Sequence, residues 1–83
     1  MLKAEIYVTL KDGVLDPQGT TLQRSLETIG FGGLRGVRMG KFIEVTLEGG
    51  DRAAAEAEID QMCRKVLTNP VIEQYRFTVR EAE

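Results

Sequence analysis

Histidine and tryptophan are absent from this chain of 83 residues, and cysteine occurs once, at Cys63. One cysteine excludes a disulfide within the chain. Without histidine or a second thiol, a structural metal site of the usual nitrogen and sulfur ligands has no donor set. The same absence leaves Cys63, Ser25 or any threonine without an imidazole to activate it, so nucleophile–base catalysis has no components here. No apolar run approaches the roughly 18–20 residues that a spanning helix needs, so no membrane span is expected. The opening Met1-Leu2-Lys3-Ala4-Glu5 has no apolar core of an export signal. With a lone thiol, that fits a reducing cytoplasm. The 11 basic residues fall short of the 13 acidic ones, a net charge of -2, so the chain does not look like a nucleic-acid binder.

What is present is organised. A chain of this length forms one domain, residues 1–83, with 81–83 expected to fray, and buries only about 60% of its unfolded surface. Association is the expected supplement to so thin a core. Leu2, Ala4, Ile6, Val8 and Leu10 alternate with Lys3, Glu5, Tyr7 and Thr9, the period of a half-buried strand, and Asp12-Gly13 ends it. Asp16 followed by Pro17 is a helix start: a capping carboxylate, then a proline whose missing N–H costs nothing at that position. Leu22, Leu26 and Ile29 form a narrow apolar stripe, and Gly30 is the expected residue just past the end, giving a helix over about 17–29. The glycine-rich stretch 30–36 reads as a connection. It predicts a hairpin next: a short strand at Val37-Arg38-Met39, a turn at Gly40-Lys41, and a return strand alternating through Ile43, Val45 and Leu47. Asp51 caps a second helix carrying Ala55, Ile59, Met62 and Val66 on its apolar stripe, with Cys63 and Leu67 beside it. Asn69-Pro70 ends that helix, and Tyr75, Phe77 and Val79 mark a last strand.

The predicted order is β-α-β-β-α-β. Its simplest packing is an α+β fold of the ferredoxin-like, split βαββαβ kind: a four-stranded antiparallel sheet with both helices on one face. The other face carries polar residues with two aromatics, Tyr7 and Phe42. Two such rings on an open sheet can stack bases as RNA-binding sheets do, but the basic strand signature of such modules is absent. Cys63 reads as a buried inert thiol, and Glu44, Glu48, Glu56 and Asp60 as solvent-facing carboxylates. The glycines at 30–36 miss the spacing of a dinucleotide loop and follow a helix instead of a strand; Gly40-Lys41 is followed by Phe42, not by the Ser or Thr of a P-loop. Gly19 stands out in the first turn of a helix, where it implies either close backbone approach by a partner or ligand, or a cap turn tolerant of glycine.

Two segments are dense in boundary signals, Val8 through Gly19 and Met62 through Tyr75. With Val37-Arg38-Met39-Gly40-Lys41 they resemble the PurS family. The runs Leu15-Asp16-Pro17-Gln18-Gly19 and Asn69-Pro70-Val71-Ile72-Glu73 carry most of the likeness, which extends from about residue 5 to 79. The resemblance implies the small subunit of phosphoribosylformylglycinamidine (FGAM) synthase in purine biosynthesis. It implies as partners a synthetase subunit (PurL), which uses ATP and Mg, and a glutaminase subunit (PurQ). It also implies a homodimer, no cofactor on this chain, no catalytic residue, and a role in bridging and ammonia transfer. The docking residues expected on this basis are Asp16, Pro17, Gln18, Gly19, Arg38, Gly40, Lys41, Asn69, Pro70, Val71, Ile72 and Glu73. The alternative is a regulatory domain of βαββαβ type that binds a small ligand beside Asp12-Gly13 and Asp16.

Overall fold

In the computed structural model, residues 1–81 are described. They form β1 (Leu2–Leu10), α1 (Pro17–Thr28), β2 (Gly40–Leu47), α2 (Arg52–Met62) with a π-helical turn (Cys63–Leu67), and β3 (Glu73–Glu81). The sheet is antiparallel and three-stranded, in the order β2-β1-β3. β1 is central, pairing Ile6 with Ile43 on one side and with Phe77 on the other. Alternation therefore works as expected: Leu2, Ala4, Ile6 and Val8 are all buried on one face, while Tyr7 on the other is exposed. Glu81, expected to fray, is the last residue of β3 and lies opposite Leu2; residues 82 and 83 lie outside the described part.

The fourth strand is not formed. Residues 37–39 lie in irregular backbone that runs straight into β2, and Gly40-Lys41 is no turn: Gly40 pairs with Thr9 and Lys41 with Val8. Gly40 is there for closeness, since a Cβ on it would stand 2.5 Å from the Val8 carbonyl oxygen. A glycine needed for backbone approach inside a strand looks in sequence like a turn glycine, and this produced the false hairpin.

The second correction concerns the helices. α2 lies on the buried sheet face through Ala55, Ile59 and Cys63, which join Leu2, Ala4, Ile6, Val8 and Val79 in one core. α1 contributes nothing to that core. Ile29 is 71% exposed and Leu22 42%. Gly19 is the only buried residue of α1. The radius of gyration, 16.3 Å, exceeds the roughly 12 Å of a compact domain this long. The molecule is a packed sheet-and-helix unit with α1 and the returning chain 31–39 forming an arm. Two backbone hydrogen bonds close the end of α1, Gly30 N–H to Glu27 O at 3.2 Å and Phe31 N–H to Leu26 O at 3.0 Å. With Gly30 at φ 108°, this is the expected left-handed helix stop.

The expected cap on α2 is present: Asp51 accepts from the Ala54 N–H at 3.3 Å. Its apolar stripe differs at the end. The π turn inserts one extra residue before Thr68, whose N–H and hydroxyl both donate to Cys63 O, at 3.0 and 2.7 Å. This rotation turns Val66 out to 80% exposure and brings Leu67 against the core instead. Burial and the neighbouring Asp60 push the Cys63 thiol above its ordinary pKa, the condition of an unreactive sulfur.

Candidate functional site

The twelve expected docking residues come from three stretches far apart in sequence, and the fold gathers them at one end of the sheet, where β1 finishes and β2 and β3 begin. Asp16 is the hinge of the arrangement. Its Oδ1 accepts the Gly19 N–H at 2.9 Å, capping α1, and its Oδ2 accepts the Met39 N–H at 2.8 Å, holding the entry to β2. These hydrogen bonds, with the charge of Arg38 nearby, keep its carboxyl below the ordinary aspartate range. Arg38 reaches back to the β1 end: it donates to the Leu10 carbonyl and pairs with Asp12 at 3.1 Å.

Gly19 is explained by the chain itself. A Cβ there would lie 2.2 Å from the Val37 carbonyl oxygen, so the close backbone approach is made by residues 37–39, not by a partner. The third stretch is tied in from the other side. Lys11 N–H donates to Ile72 O at 2.8 Å. Asn69 turns the chain by accepting the Val71 N–H on Oδ1 at 3.1 Å. Glu73 accepts the Asn69 N–H on Oε1 at 2.7 Å and pairs with Lys41 through Oε2 at 3.5 Å. A cleft of about 280 Å³ opens among Asp16, Gln18, Met39, Gly40, Lys41 and Glu73.

The residues therefore divide by task. Asp16, Gly19, Arg38, Gly40, Asn69 and Glu73 tie the chain to itself. Pro17, Gln18, Pro70, Val71 and Ile72 face outward, Val71 at 78% exposure. Leu15, exposed at 88%, and Met39 border the same end but were not among the expected docking residues. Leu15 carried a signal that was passed over: a large apolar residue just before a capped helix, off any stripe. Met39 carried none, because its position depends on the Asp16 contact across the fold.

One carboxylate departs from expectation. Asp60 is not a solvent-facing group; it accepts the Tyr75 hydroxyl at 2.5 Å and pairs with Arg64 at 3.0 Å. The bond to Asp60 pushes the Tyr75 phenol above its ordinary pKa, and its contacts with Tyr75 and Asp60 hold Arg64 firmly protonated. This cluster ties β3 to the last turns of α2. Among the described residues no group of three His, Cys, Asp or Glu side chains is assembled that could hold a metal ion, and no helix is long and apolar enough to cross a membrane.

The junction of this small α+β unit thus has its charged residues engaged within the chain, with Leu15, Val71 and Ile72 exposed beside them. The comparisons with known proteins show the family. The model of the PurS family, described as phosphoribosylformylglycinamidine (FGAM) synthase, matches residues 3–81, and the chain belongs to that family. It is 49% identical over 78 residues to the phosphoribosylformylglycinamidine synthase subunit PurS of Synechocystis, covering 94% of this chain and 78% of that one. With the Bacillus subtilis PurS subunit the identity is 43% over 81 residues, 98% of this chain and 95% of the other. The crystal structure of Methanocaldococcus jannaschii PurS superposes with a TM-score of 0.90 at 38% identity over the full length of both chains. A chain in the structure of PurLQS from Thermotoga maritima matches with a TM-score of 0.83 at 29% identity, covering 96% of this chain and 99% of that one.

Proposed function

We propose that this chain is the small, non-catalytic subunit of FGAM synthase. The complex converts formylglycinamide ribonucleotide, glutamine and ATP to FGAM, glutamate, ADP and phosphate in the cytoplasm. The chain bridges the synthetase subunit, where ATP and Mg act, and the glutaminase subunit, and supports passage of ammonia from one to the other. The observation that carries this reading is the convergence of three separate stretches at one end of the sheet. Inward hydrogen bonds there hold Pro17, Gln18, Pro70, Val71 and Ile72 outward on a fixed frame. A bridge needs that combination. Ammonia released into water is protonated and lost as a nucleophile, so two active sites must be held in one relative orientation, and a rigid frame does this better than a mobile one. The carboxylates and cations of the junction are committed to that frame, and the chain supplies no activated nucleophile.

A homodimer goes with the same reading. Leu22, Ile29 and Phe31 are exposed on an arm that leaves the sheet, and a second copy is the occupant that would bury them. The alternative of a small-ligand regulatory domain draws little support from the loop after β1: Asp12 is paired with Arg38, and Asp16 is held by two N–H groups.

Reconstitution tests the proposal. The purified chain is mixed with synthetase and glutaminase subunits of one source, and FGAM formation is followed with glutamine or with ammonia as nitrogen donor. Glutamine-dependent turnover should require the chain, and ammonia-dependent turnover should require it far less. Equal rates with and without the chain, and no co-elution, would reject the bridging role.

A further inference from the structure

The sheet face opposite α2 is uncovered, and its charges do not balance. Lys3, Arg76 and Arg80 face Glu5 and Glu44 across the three paired strands. Both carboxylates are taken, Glu44 by Lys3 and Glu5 by Arg80, the latter at 3.0 Å. Arg76 has no carboxylate within ion-pair distance among the described residues. It lies instead over the Tyr7 ring, its guanidinium carbon 4.2 Å from the ring centre. Phe42 completes the row on the far side, 5.0 Å from Tyr7 between ring centres. Both aromatics are exposed. Together with Thr9, Gln74 and Lys41 they border a shallow cleft of about 460 Å³. Gly40 and Lys41 line this cleft and the junction cleft alike, so the two adjoin around the sheet end.

We infer that the Phe42–Tyr7–Arg76 row is a second docking surface, which receives a carboxylate-bearing segment of a partner subunit with an apolar side chain against Phe42. This rests on the bridging role proposed above and adds a surface outside the residues assigned to it. The row has the composition of an interface anchor: two rings that lose little entropy on burial, and an arginine already held in one position by stacking. An arginine fixed over an aromatic face keeps its N–H edges free for bidentate contact with a carboxylate. The charge count selects the occupant. A second copy stacked on this face would bring one surplus cation against another. A nucleic acid would need a stripe of phosphate contacts, and among the described residues the face offers a single unpaired cation.

The test is binding of the full chain to the mixed synthetase and glutaminase subunits at about 50 mM and about 500 mM salt, the range over which exposed charge pairs are screened. Arg76→Gln should weaken binding about tenfold or more, as loss of an anchor residue does. It should also remove most of the salt dependence, and Arg76→Lys should restore only part of the affinity. Lys3→Gln, at the paired end of the face, should bind as the unaltered chain does. Circular dichroism melts check that each variant is folded. If the unaltered chain binds and Arg76→Gln binds equally well, this inference falls while the bridging role stands. If the unaltered chain does not bind, both fall. A change in the mass of the free Arg76→Gln chain by sedimentation would assign the row to self-association. Retention of a uridine oligomer by the unaltered chain but not by the variant, with protein binding unchanged, would assign it to RNA. Either result overturns the proposal.

Discussion

The sheet with α2 and the arm with its junction are made from similar amphipathic material, yet different forces hold them. In the first, apolar side chains do the work: Ile6, Val8, Ile59 and Cys63 are fully buried against one another. In the second, the apolar side chains face out and polar groups do it: Asp16 holds Gly19 and Met39, Arg38 holds Asp12 and Leu10, and Glu73 holds Asn69 and Lys41. Burial is cooperative and insensitive to direction, so the first region defines the fold. Hydrogen bonds are directional and contribute little net stability each, so the second region fixes orientation at low cost while its apolar side chains stay exposed.

The contrast can be broken most strongly in the core. Ile59→Ala removes a fully buried side chain and should destabilise the fold by about 2–5 kcal/mol in urea unfolding. Ile29→Ala, an equal change on the exposed arm, should alter the stability of the dilute chain by no more than about 0.5 kcal/mol. It should instead shift the monomer–dimer balance seen by sedimentation; a large stability loss at Ile29 would show that the arm packs on its own sheet.

Gly19→Val should come next, at about 1–3 kcal/mol, because the added carbons meet the Val37 backbone and force α1 away from residues 37–39. Binding to the synthetase and glutaminase should fall with it, since the outward frame moves. Tyr75→Phe should cost about 1 kcal/mol by removing the hydroxyl from Asp60, and thermal melts suffice to measure it.

The smallest effect is the one that sharpens the distinction between the regions. The folded-state pKa of Asp16 is lowered. The stabilisation it provides is therefore complete above the ordinary aspartate pKa and is lost as pH falls through the lowered value. Melts recorded from roughly pH 6 down to pH 2 should show a shallower acid loss for Asp16→Asn than for the unaltered chain, and identical slopes would deny Asp16 its charged role.

Much of this was legible in the residues. Alternation set β1, the return strand and β3, Asp16-Pro17 and Gly30 bounded α1, and Asp51 and Asn69-Pro70 bounded α2, because caps, prolines and alternation act over a few neighbours. The resemblance to PurS rested on the same junction runs. The failures share one cause. Gly40 was read as a turn, and Gly19 as a cap turn or a partner's approach, when each answers to a carbonyl of its own chain distant in sequence, Val8 in one case and Val37 in the other. The Leu22–Ile29 stripe showed that α1 has an apolar side, but a stripe does not name the surface it faces.

The sequence by itself determined the two helices, the central strand, the alternating part of β2 and the last strand, and most of their caps and stops, since these follow from short-range sterics, capping and alternation. Only the tertiary structure decided that the sheet has three strands, that α1 stands off it as an arm, and that three distant stretches meet at Asp16, Lys41 and Glu73. Those outcomes depend on backbone approaches and hydrogen bonds between residues far apart in the chain, where a local pattern constrains neither distance nor direction.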